Sequence, residues 1–128
     1  KEAVIDGINY RFEYVEKDKI ADAYVISPAS GTYSGDIELP DQVMNMIKFN
    51  MRGVSDGAFM NCTELTSVSL PVGTTTIGLA SFHGCPALRT ITVNAPTPPT
   101  FPGYTESCLW YGCRCRLLLS VRSLEQVP

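Results

Sequence analysis

Five cysteines and one histidine are the residues of this 128-residue chain best equipped for chemistry. Cys108, Cys113 and Cys115 fall within eight residues, a density that raises the question of zinc. A structural zinc site needs four tetrahedral ligands, usually as Cys-x-x-Cys knuckles or as cysteines with histidines. Here four residues separate the first two cysteines and one separates the second pair, while His83 lies 25 residues upstream of Cys108. The spacing fits no metal site, and Cys108 with Cys115 is instead the candidate disulfide of the C-terminal turn. His83 has no serine or cysteine partner and no orienting carboxylate at a catalytic spacing. The carboxylates form no acid–base pair: Asp36 and Glu38 flank Ile37 and point outward from one strand. The chain holds no phosphate loop, dinucleotide fingerprint, HExxH or Gly-x-Ser-x-Gly. The expectation is a chain with no catalytic residues, no cofactor and no metal, and not an enzyme.

Composition narrows the classes further. The net charge of -3 is mildly acidic and unclustered, which disfavours a nucleic-acid partner. Leu, Ile, Val and Phe make up 33 of 128 residues, enough for a packed core in one domain. No apolar run approaches the roughly 18 residues of a membrane span. The start Lys1-Glu2-Ala3-Val4-Ile5 has no basic segment ahead of an apolar one, so it speaks neither for nor against secretion. Asn61-Cys62-Thr63 is formally a glycosylation acceptor, but the repeat described next needs Cys62 inside.

An internal repeat supplies the elements that must position these residues. Val54 to Thr76 aligns without a gap on Ile77 to Pro99 at an offset of 23 residues. Val54 falls on Ile77, Ala58 on Ser81, Phe59 on Phe82, Cys62 on Cys85, Leu65 on Leu88, Val68 on Ile91 and Leu70 on Val93. The last two apolar positions of each unit are two apart, as one face of a strand requires. A single unit cannot bury that face, whereas stacked copies form a continuous core. The fold class expected is therefore a mainly β repeat solenoid, a short stack of units in the leucine-rich-repeat size range.

Partial copies flank the pair. Ile37-Glu38-Leu39-Pro40 matches Val68-Ser69-Leu70-Pro71, and Trp110-Tyr111-Gly112-Cys113 matches Phe82-His83-Gly84-Cys85. The stretch from Val43 to Met51 partly alternates and is expected to be an inserted extended segment or hairpin. Ala95 to Pro102 is proline-rich and suits a rigid connector. The last strand is expected over Arg116 to Val121. Residues 1–35 do not fit the repeat. Ile8 to Tyr14 alternates, Glu16-Lys17-Asp18-Lys19 is a charged turn, and Ala23 to Ile26 is a second strand. They are expected to form an N-terminal hairpin cap, followed by repeats over 36–99 and a terminal partial repeat with an irregular cap over 100–128.

The segments Val54 to Cys62 with Leu65 to Pro71, their copy Ile77 to Val93, and Tyr33 to Pro40 resemble the BspA-like bacterial leucine-rich repeats. That is a family of secreted and surface-attached proteins of Bacteroidetes. The resemblance implies a secreted or cell-surface location and a noncatalytic recognition or adhesion module, with an extracellular protein or glycan as ligand. A lipid anchor upstream of this segment belongs to the same expectation. Cys108, the Cys113-x-Cys115 pair and the loose match after Cys115 depart from the family pattern. The alternative function is a structural spacer or cap in a larger surface assembly.

Two sets of positions follow from the stacking. Cys62, Cys85 and Cys113 occupy equivalent places and are expected to form a ladder of buried structural thiols. If Val68 and Leu70 point inward, Ser67 and Ser69 point outward, Thr90 and Thr92 extend the row, and Glu38 precedes it. That hydroxyl-rich face is the first candidate binding surface, and the C-terminal aromatics Tyr104 and Tyr111 are the second. An uncapped strand edge at the end of so short a stack also invites a homo-oligomer.

Overall fold

The computed structural model describes residues 1–96 and the backbone of the strand at 116–119. The strands are β1 (Glu2–Ile5), β2 (Ile8–Val15), β3 (Ile20–Val25), β4 (Gly35–Glu38), β5 (Gln42–Asn45), β6 (Ile47–Val54), β7 (Leu65–Leu70), β8 (Thr76–Ile77), β9 (Thr90–Val93) and β10 (Arg116–Leu119). They form two sheets. The first runs β1-β2-β3-β6-β5 with β8 also paired to β6, and the second runs β10-β9-β7-β4. From β3 to β9 the chain alternates between them, except at β5 and β6, which both belong to the first sheet. The second sheet is parallel throughout, and β7 pairs β9 at the 23-residue offset of the repeat, Val68 opposite Ile91 and Leu70 opposite Val93.

Alternation in sequence explains which side chains go inside. Leu65, Val68, Leu70, Ile77, Leu88, Ile91 and Val93 are all buried between the sheets. Between the two strands of each coil lies a turn that places one aromatic ring at the centre. Phe59 and Phe82 stack with ring centroids 5.2 Å apart and planes within 6°. The turns themselves are laced together by backbone bonds, Gly57 N–H to Leu79 C=O (2.9 Å), Phe59 N–H to Ser81 C=O (2.8 Å) and Asn61 N–H to His83 C=O (2.8 Å).

These turns need a left-handed backbone twice per unit, again at the repeat offset. Gly57 (φ 65°) matches Ala80 (φ 55°), and Asn61 (φ 61°) matches Gly84 (φ 76°). Glycine and asparagine tolerate this region, whereas alanine there costs about 1–2 kcal/mol. Ala80→Gly should therefore stabilise the protein by about 0.5–1 kcal/mol once the extra freedom of the unfolded glycine is subtracted. A urea unfolding midpoint that fails to rise would contradict this account of the turn.

The N-terminal region departs from the sequence expectation in two ways. First, it has three strands. Asp6-Gly7, with φ of 52° and 83°, makes a tight two-residue turn that folds β1 back on β2. Second, β3 does not merely lie over the end of the repeats. It pairs in parallel with β6, and Val25 opposite Val54 opposite Ile77 makes one row. Tyr33 then takes the aromatic place, its ring centroid 5.0 Å from that of Phe59. Beside the first repeat, β3, Tyr33 and β4 thus occupy the places that strand, ring and strand occupy within it.

The segment after Pro40 is a hairpin, β5 antiparallel to β6. One flank of β6 pairs β5 at its start and β8 at its end. The close approach to β8 requires Gly53, because a β-carbon there would run into the Thr76 carbonyl. On the outer face of the first sheet, Arg52 pairs with Asp22 (3.2 Å) and the Arg11 guanidinium lies 4.7 Å from the Tyr24 ring centre.

Candidate recognition surface

The parallel sheet brings the predicted outward residues into register. Asp36, Ser67 and Thr90 are opposite one another, with Arg116 next by backbone pairing; Glu38, Ser69 and Thr92 form the adjacent row, with Leu118 next. Four strands at the usual spacing make a face about 14 Å across. Ser67, Ser69, Thr90 and Thr92 are half-buried, while Asp36 and Glu38 are exposed at one margin.

Hydrogen bonds organise that margin. The Thr66 and Ser67 hydroxyls both donate to the Asp36 carboxylate, at 2.6 and 2.8 Å. These two bonds hold the Asp36 carboxyl below the ordinary aspartate range, with Arg89 nearby adding to the effect. The unfolded chain lacks them, so their stabilising contribution is complete above the ordinary aspartate value and fades as pH falls through the lower folded one. An NMR titration should place the Asp36 midpoint below that of an unstructured aspartate. Thr66→Ala with Ser67→Ala should move it back up, and an unchanged midpoint would rule out the two hydroxyls as the cause.

The carboxyl ends of the strands open into a groove of about 560 Å³, where Glu38, Asp41, Ser69 and Asn94 supply polar groups and Pro40, Pro71 and Val72 supply apolar ones. The Asn94 amide donates to the Ser69 hydroxyl (3.2 Å), which leaves that hydroxyl's own proton free to be given outward. The surface is therefore not uniformly hydroxylic. One side offers carboxylates, the centre offers hydroxyl groups, and the groove adds an amide. Asp41 and Asn94 escaped the sequence reading because each lies just past its strand, where the alternation that sorts inward from outward stops. A smaller recess of about 400 Å³ on the first sheet is lined by Arg11, Tyr24, Val54, Ser55, Asp56, Thr76 and Gly78. The buried Ser55 hydroxyl beside it has no hydrogen-bond partner among the described residues.

The other candidate residues divide cleanly. Cys62 and Cys85 are buried at equivalent turns. The Cys85 thiol lies 3.0 Å from the Phe59 carbonyl oxygen, and that of Cys62 lies 3.9 Å from the Met60 carbonyl. Burial pushes the Cys62 thiol up from its ordinary value, with a backbone contact to Tyr33 opposing. Burial outweighs that contact and keeps the Cys62 sulfur protonated and unreactive at neutral pH. Cys108, Cys113, Cys115, Tyr104 and Tyr111 lie outside the described residues. Among the described residues, no group of three or more His, Cys, Asp or Glu could hold a metal ion, and no helix is long and apolar enough to cross a membrane.

Residues 37–107, more than half of the chain, match the family model described as a BspA type leucine rich repeat region (6 copies). Two solved structures are similar. One is a leucine rich cell surface protein from Faecalibacterium prausnitzii A2-165, at 22% identity and a TM-score of 0.60, over 77% of this chain and 25% of that one. The other is a leucine-rich repeat protein from Bacteroides capillosus ATCC 29799, at 14% identity and a TM-score of 0.60, over 92% of this chain and 97% of that one. At these identities the likeness is one of fold, and the chain spans only a quarter of the first protein's length. No curated protein matches this sequence.

Proposed function

Because the chain belongs to the BspA-type leucine-rich repeat family, we propose that it is a noncatalytic recognition module displayed outside the cell, binding a protein or glycan through its parallel sheet. The observation that carries this reading is the in-register row Glu38, Ser69 and Thr92 leading into the groove beside Asp41 and Asn94. Preset carboxylate, hydroxyl and amide groups on rigid strands suit the hydroxyl groups of a sugar or the backbone groups of a peptide. The cell-surface placement leans on the family and on the solved protein from F. prausnitzii.

The test pairs a screen of matrix proteins and glycans with Thr92→Arg. This substitution projects a long cation across the face without touching the core. We expect it to weaken binding at least about tenfold, or about 1.4 kcal/mol, at unchanged thermal stability. A screen that returns no specific ligand, or a ligand indifferent to Thr92→Arg, would count against the sheet face. Among the described residues the face carries no tyrosine or tryptophan, the aromatic anchors that dominate tight interfaces. That observation favours a second reading, a spacer within a larger surface assembly, in which Thr92→Arg leaves the assembly's ligand binding intact.

A further inference from the structure

The groove at the carboxyl ends of β4, β7 and β9 is lined by two carboxylates, Glu38 and Asp41, that nothing answers. Among the described residues, neither side chain has an ion pair or a hydrogen bond. By contrast, the Glu13 and Asp22 carboxylates pair with Arg11 and Arg52. Asp36 accepts from the Thr66 and Ser67 hydroxyls, and Asp56 accepts from the Leu79 N–H. Among the described residues, no lysine, arginine or histidine lines the groove.

The chemistry that could cover it follows from this inventory. The carboxylate oxygens only accept, and the Asn94 amide already gives one proton to the Ser69 hydroxyl, so the groove asks for a ligand rich in donors. An uncharged ligand would strip water from both carboxylates and return no opposite charge. A guanidinium returns that charge, and its N–H groups form a planar fork matched to carboxylates. The alkyl stem of the same side chain has a place as well. Pro40, Pro71 and the 48% exposed Val72 form apolar walls in the groove. At about 560 Å³ the groove has the size of an ordinary ligand site and is far too roomy for a lone cation. Resting on the reading of this face as a recognition surface, we infer that the groove takes an arginine side chain from a basic segment of a protein.

A fluorescein-labelled tetra-arginine peptide is the probe, and fluorescence anisotropy with the full chain is the readout. The peptide should bind, and Glu38→Gln with Asp41→Asn should weaken it at least about tenfold. Glu16→Gln with Asp18→Asn removes the same charge from the β2–β3 turn and should leave binding unchanged. All four substituted residues are exposed, so thermal melting should stay the same in both variants. A tetra-citrulline peptide, which keeps the shape but not the charge, should not bind. Failure of tetra-arginine to bind, equal loss in both double variants, or equal binding of the citrulline peptide overturns the inference. So does a glycan from the screen that Thr92→Arg releases but Glu38→Gln with Asp41→Asn does not. In that case the recognition surface stands and only its ligand class changes.

Discussion

Phe59→Ala is expected to destabilise the protein by about 3–5 kcal/mol, a large share of the roughly 5–15 kcal/mol available to a domain. Phe59 is 0% exposed and sits in the middle of the aromatic column, 5.0 Å from Tyr33 and 5.2 Å from Phe82 between ring centres. Removing it opens a cavity that touches all three coils at once. Its neighbours cannot close that cavity, because backbone bonds between the turns hold each ring at a fixed spacing. Urea unfolding measures the effect, with a midpoint lowered by about 2 M for a typical slope. A loss below about 1 kcal/mol would mean that the rings are separately accommodated and the column is not a shared core.

The second large effect concerns Tyr33. Its hydroxyl donates to the Ile26 carbonyl (2.7 Å) and accepts from the Asn9 N–H (3.0 Å), so one phenol ties β2 and the end of β3 to the aromatic column. Tyr33→Ala should cost about 3–5 kcal/mol through the cavity. Tyr33→Phe should cost about 1–3 kcal/mol, because it keeps the ring but leaves two backbone groups unpaired. Hydrogen exchange separates the two contributions. In Tyr33→Phe the Asn9 amide should lose protection while the repeat strands β7 and β9 keep theirs. Equal loss everywhere would show that the N-terminal strands and the repeats open as one unit.

Tyr33 also shows where sequence reading stops. The repeat between Val54 and Pro99 is legible because seven apolar or small positions recur without a gap, and the structure keeps that offset in both sheets. The same pattern continues upstream, but the distances differ. Val54 to Phe59 is five residues and Phe59 to Val68 is nine, whereas Val25 to Tyr33 is eight and Tyr33 to Ile37 is four. An insertion of three residues before the ring and a deletion of five after it defeat alignment without harming the fold, since the turn absorbs both. The Asp6-Gly7 turn was a readable signal for β1, and two-residue hairpins favour that pair strongly.

The sequence by itself determined the family, the parallel pairing of equivalent strands and the identity of the inward residues. Each of these depends on periodicity, and periodicity is a local property of the chain. Only the tertiary structure decided that the N-terminal strands join the stack edge to edge and that Asp41 and Asn94 meet Ser69 and Glu38 in one groove. Those arrangements depend on which strand edges are left free after the repeats have paired. The hydrogen-bonding capacity of a strand edge is the same for nearly every residue, so the choice between edges carries almost no signature in sequence.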